Sequence, residues 1–174
     1  MPRRIHAASA AFKILGSMCL PEGFAIRRAS TADLDTLVGH RRAMFHDMGY
    51  HDDVALNSMS ARFRVWLLER MNSGDYQAWL ACAPDGSIAA GAGLWLMDWP
   101  PHMIGQGVRR GNILNVYTSE SFRRRGLARW LMEAALLWCR ENHVDTVILH
   151  ASPSGRSLYE SMGFTPTNEM RLRL

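Results

Sequence analysis

With 174 residues the chain is long enough for one domain with a sizeable core, and 48% apolar against 21% charged residues reads as an ordinary soluble globular protein. The formal net charge of +4 is local: Arg123, Arg124, Arg125 and Arg129 have no acid among them, and without these four the chain holds 16 basic and 16 acidic residues. That balance excludes a nucleic-acid-binding face spread over the molecule.

Cys19, Cys82 and Cys139 are odd in number, widely spaced and free of any CxxC pattern. No disulfide framework is expected, and a reducing, cytoplasmic compartment is. No run approaches 18 apolar residues, so no membrane span is expected. The chain begins MPRRIHAASAAFKILGSMCL, basic and then apolar, but Lys13 interrupts the apolar stretch and Met18 directly before Cys19 spoils a lipoprotein-type cleavage site. Residues 1–22 therefore read as a disordered N-terminal extension, or as the product of a start assigned ahead of the true one at Met18. One domain follows, over 23–174.

GFAIRRAS (23–30) alternates Phe24 and Ile26 with smaller or charged partners, as a strand does. In the next stretch, STADLDTLVGHRRAMFHDMGY, Ser30 and Asp33 are spaced as a capping box ahead of an apolar-periodic helix. A second helix is expected over 54–72, where Met59, Phe63, Trp66, Leu67 and Met71 share one face. YQAWLACAPDGSIAAGAGLWLMDW places two apolar runs around Pro84-Asp85-Gly86, a hairpin signal. Residues 98–112 hold two prolines and three glycines and form the longest breaker-rich segment. ILNVYT (113–118) is a buried-strand candidate. Helical spacing returns over 126–140, with Leu127, Trp130, Leu131, Ala134 and Trp138 along one stripe. VDTVILHA (144–151) is a further strand, SGRSLYESM a short helix that Gly163 caps, and EMRLRL a closing, alternating strand. The order is mixed α/β.

The junction NVYTSESFRRRGLARWL sets arginines and a glycine where a strand gives way to a helix. The first N–H groups of a helix lack partners and lie at the positive end of its dipole. A strand feeding into such an end, with glycine allowing close backbone approach, forms an anion cradle, and arginines add bidentate donors suited to a diphosphate. From charge alone, a solvated turn fits equally well. The segment is neither a nucleotide P-loop, for want of GK[ST], nor GxGxxG.

Arg123-Arg124-Arg125-Gly126-Leu127-Ala128 resembles the R/Q-x-x-G-x-G/A signature of the GNAT acyltransferases. ILNVYTSESF resembles the family's central strand and its lead into that loop. ILHASPSGRSLYESMGF is similar to its downstream strand–helix unit ending L-Y-x-x-x-G-F. The likeness spans roughly 23–174, with specific motifs from 113 to 164. It implies a mixed, mostly antiparallel central sheet flanked by about four helices and splayed at the central strands.

The resemblance also implies a site. Val116, Tyr117 and Thr118 would pair with the amides of pantetheine, and an N–H of Val116 or Tyr117 would polarise the thioester carbonyl. Arg123, Arg124, Arg125, Gly126, Leu127 and Ala128 would hold the diphosphate of acetyl-CoA. Ser152, where the family often has asparagine, and Arg156 would contact the coenzyme. Tyr159, at the family's L-Y position, would be the general acid, its phenol close enough in pKa to a thiol to protonate the departing thiolate. No base is assigned; Glu120, Asp98, Asn115 and His150 lie near the expected strand ends. FHDMGYHDD (45–53) would form one wall of the acceptor pocket, where Asp47, Asp52 and Asp53 would collect a cationic acceptor.

The expected function is an acetyl-CoA-dependent N-acetyltransferase acting on a primary amine of a small molecule or peptide, by direct transfer in a ternary complex. A non-catalytic acyl-CoA-binding regulatory module on the same fold is the alternative. No metal, nucleic acid or membrane partner is expected. EMRLRL suits an exchangeable sheet edge and with it a homodimer.

Overall fold

The computed structural model describes residues 23–103 and 107–173; the extension expected over 1–22 lies outside them. Five strands form one sheet in chain order: β1 (Ala25–Arg28), β2 (Tyr76–Cys82), β3 (Ile88–Asp98), β4 (Arg109–Thr118) and β5 (Val147–Leu149). The first three pairings are antiparallel and the last, β4 with β5, is parallel. The helices are α1 (Leu34–Asp47), α2 (Asp53–Ser73), α3 (Leu127–Glu141) and α4 (Arg156–Ser161). None of the described helices is long and apolar enough to cross a membrane.

Local chemistry sets the helix ends. Ser30 and Asp33 form the expected capping box, and Arg27 grips Asp33 through two hydrogen bonds of 2.9 and 2.6 Å. That guanidinium holds the Asp33 carboxyl down at about 2. Asp52 caps α2 by accepting from the Ala55 N–H at 3.0 Å, and Gly74, at φ 81°, ends it. Two apolar clusters sandwich the sheet. Leu34 and Leu37 of α1 and Phe63 and Leu67 of α2 pack on Tyr76, Ala78 and Leu80, with Met59, Trp66 and Met71 alongside. On the other face Leu127, Trp130, Leu131 and Ala134 of α3 pack on Trp79, Ala92, Leu94 and Ile113, with Trp138 at the margin.

Three boundaries depart from expectation. β4 begins at Arg109, inside the breaker-rich segment, because Gly111 is a packing residue: a Cβ there would meet Leu94 at 2.8 Å. β5 keeps only Val147–Leu149 of the expected 144–151, since its sole partner runs alongside for three residues. The closing strand does not form over 169–173. Met170 and Leu172 stand 95% and 82% exposed, so the alternation buries nothing, and the exchangeable edge expected there is not formed within the described chain.

Candidate active site

The sheet opens between β4 and β5. Only Gly111, Asn112 and Ile113 pair with β5; from Leu114 to Thr118, β4 has β3 alone as a partner. A bulge causes the divergence. Gly93 pairs with Leu114 and Gly91 with Tyr117, so Asn115 and Val116 together oppose Ala92, and Asn115 takes a left-handed φ of 56°. Such a bulge bends its strand and adds twist. Val116, Tyr117 and Thr118 therefore lie on an open strand edge that can donate to and accept from an extended ligand. One group on it is engaged, for Arg123 Nε donates to the Thr118 carbonyl at 3.2 Å.

The loop leaving β4 ends at the N-terminus of α3. Arg124 and Gly126 both take left-handed conformations, φ 65° and 77°, and Gly126 is the N-cap residue with no side-chain cap and no acid in the first turn. The first helical hydrogen bond belongs to Trp130, donating to the Gly126 carbonyl at 3.3 Å. The N–H groups of Leu127, Ala128 and Arg129 thus face the loop at the positive pole of a 15-residue helix. The three arginines do different things. Arg123 pairs with Asp47, Arg124 is exposed, and Arg125 lies over the rings of Phe24 and Phe122, 6.0 and 5.7 Å away. Arg129 ties this helix to α4 by donating to Ser161 Oγ at 2.6 Å.

On α4, Tyr159 is half-buried against the α3-side cluster, its ring 6.1 Å from that of Phe164. Burial pushes its phenol above the usual value. Gly155 makes room for the ring: a Cβ there would sit 2.9 Å from Tyr159 Cε2. Gly155→Ala will therefore displace the phenol ring from this position. Ser152 turns inward on its own loop, where its hydroxyl accepts from the Gly155 N–H at 3.2 Å. Arg156 approaches Glu160 at 3.5 Å and, with Tyr159 and His150, lines a groove of about 590 Å³ between β5, α4 and the chain after Phe164.

The FHDMGYHDD carboxylates are not equivalent. Asp52 serves as the α2 cap and Asp53 pairs with Arg42 at 2.5 Å. Asp47 lines a cavity of about 330 Å³ with Gly39, Arg42, Ala43, His46 and Tyr117, and pairs with Arg123. Among the base candidates, Asp98 is paired to Arg109 at the far end of β4, ~30 Å from Thr118 at the strand rise of 3.3 Å. Glu120 is exposed in a turn, and His150 lies 4.0 Å from Glu169. Asn115 has both ends of its amide engaged, which suits a structural role.

Sequence reasoning missed the residues around Asn115. Arg41 Nη1 donates to Asn115 Oδ1 at 2.7 Å, and Asn115 Nδ2 donates to the Tyr76 hydroxyl at 3.0 Å. His40 lies 5.2 Å from the Tyr117 ring. Their signal was the pair Gly91 and Gly93 inside a strand, which marks close approach by another group. Cβ atoms there would meet His40 Nδ1 at 2.8 Å and the Tyr76 oxygen at 1.8 Å.

Residues 41–164 match the model of the Acetyltransferase (GNAT) family. The chain belongs to that family. Its fold is shared with a GCN5-related N-acetyltransferase from Ralstonia eutropha JMP134, 37% identical, at a TM-score of 0.81 over 87% of this chain and 99% of that one. A predicted acetyltransferase from Clostridium acetobutylicum, solved with acetyl-CoA, is 25% identical at a TM-score of 0.79 over 87% and 95% of the two chains. The glucosamine-6-phosphate N-acetyltransferase of Arabidopsis thaliana, at 21% identity and a TM-score of 0.62 over 88% and 99%, shares the fold. No curated protein sequence matches the chain. GNAT membership implies acyl-CoA-dependent acetyl transfer, and the open β4 edge and capless α3 terminus fit an elongated, diphosphate-bearing acyl donor.

Proposed function

We propose that this GNAT protein is a cytoplasmic N-acetyltransferase that moves the acetyl group of acetyl-CoA directly to a primary amine of a small molecule or peptide. One observation carries the reading: the open edge of Val116–Thr118 leads, through a single turn at Glu120–Phe122 and then Arg123–Ala128, to the α3 N-terminus. Pantetheine pairs along the edge, and the diphosphate accepts from the N–H groups of Leu127, Ala128 and Arg129. Gly126 lets the backbone close around it. Arg124, exposed and uncommitted to the core, closes over the phosphate oxygens; Ser152 and Arg156 flank the coenzyme from the α4 side.

Amine attack generates a tetrahedral oxyanion, which a β4 backbone N–H beside the bulge stabilises. Collapse expels the thiolate, to which Tyr159 supplies a proton, while the attacking nitrogen releases its own proton to water, from which Tyr159 is reprotonated. The free, unpaired Cys82 and Cys139 support a reducing compartment. The test is an acetyl-CoA-dependent thiol-release screen across amines. Tight acetyl-CoA binding with no release by any amine would instead give the binding module.

Asp47 lines the cavity and, although paired with Arg123, would be the carboxylate that meets an ammonium acceptor there. Asp47→Asn will raise the acceptor KM about two- to fivefold at low salt with a smaller change in kcat, and the effect will shrink as salt rises. Asp52→Asn will leave KM unchanged, because asparagine caps α2 equally well.

A further inference from the structure

The bulge in β4 is held from the side opposite α3. Asn115 is only 6% exposed and adopts φ 56°, a conformation that asparagine tolerates better than most residues but that persists only when its surroundings enforce it. Two side chains do so. Arg41 donates to its carbonyl oxygen at 2.7 Å, and its amide nitrogen donates to Tyr76 at 3.0 Å. The Tyr76 hydroxyl is in turn fixed in the space that Gly93 leaves. The preceding residue of α1, His40, packs its ring on Tyr117 in the space left by Gly91. Consecutive residues of one helix thus bear on the residues before and after Val116.

Arg41 is an unusual choice for this place. Its guanidinium lies 5.0 and 4.6 Å from the ring centres of Phe45 and Phe63, its Nε is buried with no hydrogen-bond partner, and it forms no ion pair among the described residues. A half-buried cation lacking a carboxylate is a poor way to stabilise a fold, since an apolar side chain of similar volume packs as well. Its one polar service is to the Asn115 carbonyl oxygen. A charge-assisted hydrogen bond there is stronger than a neutral one, and it locks the side chain that sets the bulge.

We propose that Arg41 is a positioning residue for acyl transfer: through the Asn115 side chain it fixes the β4 bulge, and so aims the backbone N–H of Val116 or Tyr117 at the thioester carbonyl. The proposal rests on the coenzyme reading above. Tyr76 is the second anchor of the same side chain, and the uncompensated positive charge beside the bulge favours the oxyanion that forms there.

The test needs no acceptor. Acetyl-CoA labelled with carbon-13 at the thioester carbonyl is bound to the protein and the carbonyl stretch is read by difference infrared spectroscopy. In the native protein the band lies below that of free acetyl-CoA, because an aimed donor polarises the bond. In Arg41→Met, Tyr76→Phe and Asn115→Gly the band returns most of the way to the free position, while acetyl-CoA affinity by calorimetry stays within about threefold. Glycine accepts the left-handed backbone and phenylalanine keeps the ring, so those two variants test the bulge itself, and Arg41→Lys, which keeps the charge on a stem that lacks the planar guanidinium fork, gives a partial return of the band and tests Arg41 even if Arg41→Met does not fold. Adding Arg41→Met to Asn115→Gly gives no further shift if Arg41 works through Asn115. An unmoved band in variants that bind acetyl-CoA, or additive shifts in the double variant, overturns the proposal. Failure of the native protein to bind acetyl-CoA is a different result, one that removes the coenzyme reading and this proposal with it.

Discussion

The Gly126→Glu protein will bind acetyl-CoA about 100-fold more weakly than the native one, or not measurably, in a calorimetric titration. Two effects act together. A carboxylate at the α3 N-cap competes for the same N–H groups and repels the diphosphate within a few ångströms. A side chain at φ 77° also strains the turn, by roughly 1 kcal/mol, so some stability goes with it. Gly126→Ala separates the two: it carries the strain without the charge. A Cβ there meets only Trp130, at 3.9 Å, so space is not the obstacle. Alanine will therefore weaken binding far less than glutamate. Dephospho-CoA will bind the native protein still if the diphosphate is the group held, as proposed. Equal affinity for acetyl-CoA in folded Gly126→Glu and native protein would sink the assignment of Arg123–Ala128.

Replacing Tyr159 by phenylalanine will lower kcat by about 10- to 1,000-fold, the scale of general acid catalysis. The ring packs against Phe164 and fills the space beside Gly155, so removing one hydroxyl leaves both the packing and the coenzyme loop in place. Acetyl-CoA affinity will be nearly unchanged. The pH profile offers a second reading of the same group. A general acid acts in its neutral form, and burial raises the Tyr159 pKa. Activity that depends on it is therefore present below the raised pKa and lost above it, which moves the alkaline fall of kcat above that of an ordinary exposed phenol. The phenylalanine variant will show a low rate without that limb. Undiminished turnover in the variant, with chemistry rate-limiting, would make Tyr159 a packing residue.

The fold was largely legible because its elements carry local signals. The Ser30–Asp33 box, the Asp-Gly turn at 85–86 and the single apolar stripe of α3 each depend on neighbours within a few residues. Of the site, the sequence marked the Arg123–Ala128 turn and the Leu158-Tyr159 pair, again contiguous patterns. It marked the place where Arg41, His40 and Tyr76 gather only through the glycines Gly91 and Gly93, without naming the three residues. These meet β4 across 74, 77 and 39 positions of chain, and no spacing rule reaches so far.

Composition and pattern alone determined a mixed α/β domain with its basic excess confined to one strand-to-helix turn. Those properties follow from hydrophobic periodicity and capping chemistry, which act between near neighbours. The tertiary structure alone decided three things: that the expected splay of the central strands begins after Ile113, that Asp47 rather than Asp52 faces the cavity, and that EMRLRL forms no strand within the described chain. Each depends on which segments come alongside one another. A strand exists only where a partner supplies its hydrogen bonds, and a carboxylate is available to a ligand only where no helix end has claimed it.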